Sequence, residues 1–76
     1  MATTTITVIK LNAIQKAWVE NENSTNSNKA MIIDYVDTSN IEHNDCLCSS
    51  VLTKTGYEDW ATYFDGVTTT DIDINI

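Results

Sequence analysis

The chain has no proline and no arginine, two glycines, two cysteines, one histidine and one phenylalanine among its 76 residues. Without proline, nothing breaks a helix or strand from within. Without arginine, the forked guanidinium that grips phosphate and reads guanine is missing, so direct nucleic-acid binding is not expected. Gly56 and Gly66 are too few and too far apart for a phosphate loop. One histidine, and serines that no glycines flank, leave few parts for acid–base or nucleophilic catalysis, so neither enzyme activity nor a cofactor is expected. No run of 18 apolar residues is present, which argues against a membrane-spanning helix. The opening MATTTITVIK lacks a basic stretch followed by an apolar block, so a secretory signal is not expected and the setting is read as cytoplasmic.

What is present is acid. Eleven carboxylates face four lysines, for a net charge of -7. Residues 1–20 carry Lys10, Lys16 and Glu20, a net of +1, and residues 21–76 carry ten acids against Lys29 and Lys54, a net of -8. Such a surface attracts basic proteins and speeds their encounter. Apolar content of 42 % is that of a folded chain, and the length fits one small domain, 1–76.

The stretch TGYEDWATYFDG, residues 55–66, carries the clearest helix signals. Thr55 and Glu58 have capping-box spacing, Tyr57, Trp60, Ala61 and Phe64 form one helical stripe, and Gly66 offers a left-handed end. Residues 3–9 read as a strand. Residues 12–21 read as a helix capped by Asn12 with Gln15, its apolar face made by Leu11, Ile14 and Trp18; a strand is the competing reading. Residues 22–28, ENSTNSN, read as an exposed loop. Residues 30–37 read as a strand with Met31, Ile33 and Tyr35 on one face, 38–45 as punctuation, and 46–53 as a third strand with Leu47 and Val51 together. The tail TTTDIDINI alternates, with Ile72, Ile74 and Ile76 inward and Asp71, Asp73 and Asn75 outward.

The expected class is α+β: a small antiparallel sheet with helices on one face, in βαββαβ ferredoxin-like order. The alternative is a five-stranded sheet with one helix at 56–65. In the first arrangement Ile6, Val8, Met31, Ile33, Leu47, Val51, Ile72 and Ile74 face the helices. Thr5, Thr7, Asp34, Asp71, Asp73 and Asn75 then lie on the open face, with Ile32 and Val36 among them, as the expected partner-binding surface.

Cys46 and Cys48 are too close for a framework disulfide and are read as reduced thiols. With His43 they are a weak metal candidate, because one C-x-C and one histidine lack the second half of a zinc site; no metal is expected.

In composition, not in motif, the chain resembles the small acidic proteins that phages use against host defence, anti-CRISPR and DNA-mimic proteins among them. That likeness implies a non-enzymatic viral inhibitor or adaptor in the host cytoplasm, docking on a basic, nucleic-acid-binding partner protein. The alternative is a structural or assembly subunit, such as a virion module or homo-oligomer; a large oligomer favours this alternative, a monomer or homodimer favours the inhibitor, and no membrane partner is expected.

Overall fold

The computed structural model describes residues 2–76, and no helix among them is long and apolar enough to cross a membrane. The chain runs β1 (Thr3–Lys10), α1 (Ala13–Thr25), β2 (Ile33–Val36), β3 (Glu42–Cys48), a 3-10 helix over Ser49–Thr53, α2 (Glu58–Tyr63) and β4 (Thr70–Asn75). The sheet is antiparallel throughout, in order β2-β3-β1-β4, so each strand–helix–strand unit is split by a strand of the other. This is the expected α+β class. It departs from an ideal ferredoxin-like module in its second half, where a 3-10 helix and a helix of six residues replace one full helix. The five-stranded alternative falls because residues 13–25 are helical.

Local chemistry explains α1. The Asn12 side chain accepts the Gln15 N–H at 2.8 Å and the Gln15 side chain accepts the Asn12 N–H at 2.9 Å, a closed capping box. The helix runs on through the segment expected to be loop. Ser24 and Thr25 donate their hydroxyls to the Glu20 and Asn21 carbonyls, and Asn23 holds both backbone groups of Ala30, at 2.7 and 2.9 Å. Polar side chains thus satisfy backbone groups of the last turn and of the chain that follows. The helix is also rotated from the expected phase. Val19 is its buried residue, Trp18 is half-buried, and Ile14 is 76 % exposed.

Several expected boundaries move. The strand at 30–37 shortens to β2, and Met31 is exposed instead of inward. β3 takes in residues 42–45, which pair Tyr35 with His43 and Val36 with Glu42. It stops at Cys48, where the 3-10 helix turns Val51 and Leu52 into the helical core. α2 starts later than expected and has no side-chain cap, because Glu58 accepts the Gly56 N–H at 2.7 Å instead of closing a box with Thr55. Gly56 sits at φ +94, packed on Asn28, whose amide donates to its carbonyl at 2.7 Å. In the tail, Ile72 and Ile74 point inward, but Ile76 is 72 % exposed.

The largest correction concerns the two faces of the sheet. Ile9 and Leu47, paired across β1 and β3, pack with Val19, Trp60, Phe64, Leu11 and Val51 beneath the helices. Val8, Cys46 and Ile72 have the opposite parity and form a separate buried cluster with Ile6, Tyr35 and Ile74. Ile6, Val8, Ile33, Ile72 and Ile74 therefore turn away from the helices, and Thr5, Thr7, Asp71 and Asp73 lie on the helix side. A second core on the far face requires the sheet to roll. β2 and β4 are its two edges, yet Thr38, just after β2, donates its N–H to the Asp73 carbonyl of β4 at 2.9 Å. Between Ile33↔Cys46 and Tyr35↔His43, one residue of β2 opposes two of β3, and Asp45 takes φ 55. A bulge of this kind bends its strand and deepens the twist, which curls the sheet around Val8 and Cys46.

Beyond the three residues of β1 that pair with β3, β1 and β4 continue as a two-stranded ribbon. The longest dimension is 39 Å, against 24 and 23 Å, and the radius of gyration is 12.9 Å. A compact chain of this length has about 11 Å.

Candidate functional site

The ribbon carries the sequence-expected surface. Register pairs Thr3 with Asn75, Thr5 with Asp73 and Thr7 with Asp71 on one face. The Asp73 carbonyl, which accepts from Thr38, points away from β1, so these are the closely approached, non-hydrogen-bonded pairs of the ladder. Side chains meet accordingly. Thr5 Oγ1 donates to Asp73 Oδ1 at 2.5 Å, and Thr7 Oγ1 donates to Asp71 Oδ1 at 2.7 Å. Both carboxylates are exposed, and the second oxygen of each has no partner among the described residues. Two residues apart on a strand places them about 6.8 Å from each other. They are held there by the hydroxyls before any partner arrives.

Asp34 does not join them. It stands on β2, at the other edge of the sheet, and its Oδ1 accepts the Asp45 N–H at 2.9 Å, closing the bulge. Asp45 in turn accepts the Leu11 N–H at its carbonyl and meets Lys16 Nζ at 3.1 Å. That contact, first by its hydrogen bond and then by charge, raises the Lys16 pKa above 10.5. Asp34 thus serves the fold. Five of the six expected contact residues, Thr5, Thr7, Asp71, Asp73 and Asn75, share a surface and one does not.

His43, Cys46 and Cys48 do not assemble as a metal centre, and among the described residues no three His, Cys, Asp or Glu side chains are placed to hold an ion. Cys46 is fully buried, which raises its thiol pKa above 9.0, and Cys48 Sγ lies 3.1 Å from Ser50 Oγ. His43 is committed elsewhere. Asp37 Oδ1 accepts the Ser39 and Ile41 N–H groups at 2.8 and 3.0 Å, and its Oδ2 lies 2.8 Å from His43 Nε2. The Asp37 pKa falls below 3.8, first through His43 and then through Ile41. An ionised carboxylate can only accept, so Nε2 carries the hydrogen. His43 Nδ1 is buried without a partner among the described residues. This clamp holds the β2–β3 loop in the shape that lets Thr38 reach β4.

The sequence pattern missed a second surface. Trp18 of α1 and Tyr63 of α2 stack with ring centroids 4.1 Å apart and planes 7° from parallel. Phe64 is perpendicular to both, 5.7 Å from Trp18 and 4.9 Å from Tyr63. Tyr63 stands one position outside the stripe of Tyr57, Trp60, Ala61 and Phe64, which is why periodicity alone did not mark it. Its adjacency in sequence to Phe64 was the available signal.

Comparison with protein families, with curated proteins and with solved structures finds no match to this chain.

Proposed function

We propose that the chain works by contact and not by catalysis, as an inhibitor or adaptor of the anti-defence type that docks on a basic, nucleic-acid-binding partner protein. The observation that carries this reading is the Thr–Asp ladder. Asp71 and Asp73 stand exposed on the β1–β4 ribbon, each held by a threonine hydroxyl. Ordering a flexible acid on binding costs entropy, and carboxylates held in advance avoid part of that cost. The net charge of -7 supports steered encounter with a cationic surface. The mode is occlusion of a basic site. Carboxylates about 6.8 Å apart are far sparser than a duplex, with about one charge per 1.7 Å of axis.

Affinity capture with immobilised protein tests this, using the parent chain and an Asp71→Asn, Asp73→Asn double variant. Basic proteins retained by the parent, lost by the double variant and released at about 1 M salt, where the screening length is ~3 Å, are the expected result. Retention indifferent to both salt and variant would overturn it. The assembly reading has its own support in β4, an edge strand of the sheet whose outer side is met by the Thr38 N–H at the Asp73 carbonyl but is not paired with another strand among the described residues. It predicts a large oligomer whose mass, by light scattering, does not change with concentration.

A further inference from the structure

We infer that the outer face of Tyr63, backed by Trp18 and flanked by Asp59, is a seat for an arginine side chain of the partner protein. This rests on the docking reading above and adds to it a specific anchor away from the ribbon. Tyr63 is 36 % exposed, and one of its ring faces is covered by Trp18. Phe64 does not cover the other. If it lay beyond Tyr63, its distance from Trp18 would approach the Trp18–Tyr63 and Tyr63–Phe64 steps taken end to end, but it is only 5.7 Å, so Phe64 sits beside the stack. Tyr63 thus keeps exposed surface while Trp18 packs on one of its faces and Phe64 stands at its side. Asp59, one helical turn before Tyr63, is exposed on the same side of α2 and has no salt bridge among the described residues. Ile14, 76 % exposed and one turn before Trp18, extends the apolar surface beside it.

A planar aromatic face next to a carboxylate suits a guanidinium, which stacks by its plane while its N–H edge meets the acid. An ammonium finds only the charge. The chain shows the weaker form of this contact within itself, where Lys54 Nζ lies 5.9 Å from the Tyr57 ring centroid. Charge chooses the occupant. A second copy would bring another -7 to the patch, whereas a basic partner brings the missing cation.

The test titrates the protein with a nona-arginine and a nona-lysine peptide at low salt, following the Trp18 indole and Tyr63 ring signals by NMR. Both signals are expected to move with nona-arginine, which should bind about threefold to tenfold more tightly than nona-lysine, the scale of an exposed cation–π contact plus one charged hydrogen bond. Tyr63→Ala and Asp59→Asn should each reduce that preference, and Tyr63→Phe should keep it and confirm that the packing tolerates change there. Asp71→Asn with Asp73→Asn should weaken both peptides alike and leave the preference intact. Equal binding of the two peptides with unmoved Trp18 and Tyr63 signals would overturn the anchor and leave the acidic docking reading standing. Failure of both peptides to bind would sink both readings. A dimer seen by light scattering in the parent and lost in Tyr63→Ala would overturn the anchor in favour of a second copy.

Discussion

On one side of the sheet, Ile9 and Leu47 lie under Val19, Trp60 and Phe64, large residues delivered by two helices. On the other, Val8, Cys46 and Ile72 are just as buried with no helix above them, closed by Tyr35, Ile6 and Ile74 and by the roll of the sheet. The first core is assembled from elements whose signals are local. The second depends on a bulge, a loop clamp and one hydrogen bond between opposite edges. Cores built in these two ways should differ in how they fail. Loss of a helix-side residue should unfold the chain as a whole, and loss on the rolled side should open the ribbon first.

Trp60→Ala tests the first core and should have the largest effect, about 3–5 kcal/mol in urea unfolding. That rivals the whole stability of a domain this small, at about 0.05–0.15 kcal/mol per residue. Trp60→Phe sharpens the point. The indole N–H of Trp60 is buried with no acceptor among the described residues, so phenylalanine removes an unmet donor along with the lost volume, and the cost should be only about 1–2 kcal/mol. Ile72→Ala tests the second core. It should cost about 2 kcal/mol, the low end for this change, because a ribbon backed on one face can settle into the space. Amide exchange should then speed up in β4 and the outer half of β1 well before the β1–β3 pairs. Uniform loss of protection would break the comparison.

The third prediction addresses the clamp. Asp37→Asn should lower the melting temperature less than Ile72→Ala does, with early exchange at the Thr38 amide. Its pH dependence has a defined sign. The Asp37 carboxyl is held below 3.8 in the folded chain, chiefly by His43. Its contribution is present above that unfolded value and is lost as the pH falls through the depressed folded one, so the acid limb lies below pH 3.8. In Asp37→Asn that limb should flatten. Cys46 acts in the opposite direction. Burial raises its thiol above 9.0, so its contribution is complete below that value and is lost as the pH climbs through the raised folded one. Cys46→Ala should remove that part of the alkaline loss.

The same contrast explains what could be read from sequence. The Asn12–Gln15 capping box, the Trp60–Phe64 stripe and the left-handed Gly66 each involve residues a few positions apart, and each is where the pattern placed it. Alternation in TTTITVI and DIDINI showed which residues share a face, and so brought Thr5, Thr7, Asp71, Asp73 and Asn75 together. It could not show which face the helices cover, because a period of two is symmetric. Ile9 and Leu47, apolar residues of the opposite parity, decide that question, and they do so only once β1 and β3 are paired. Asp34 left the expected site because a bulge used its carboxylate, and the bulge at Asp45 exists only once β2 and β3 are paired, which the polar run 38–45 does not show.

The smallest effect on stability is expected at the ladder itself, where it separates a docking surface from a structural one. Thr5→Val with Thr7→Val removes both hydroxyl donors and keeps the shape and strand preference of the side chains. Cross-strand pairs of this kind contribute a few tenths of a kcal/mol, so unfolding should shift by no more than about 0.5 kcal/mol. Net charge stays at its parent value, so long-range attraction to a cationic partner is untouched and the association rate should hold. What changes is the order of the Asp71 and Asp73 carboxylates, which would then have to be immobilised on binding. Faster dissociation from a basic partner, at an unchanged association rate and nearly unchanged stability, would mean that the threonines serve recognition. Loss of a full kcal/mol or more of stability, with dissociation unaltered, would return the ladder to the fold alone and leave the ribbon with no recognition role.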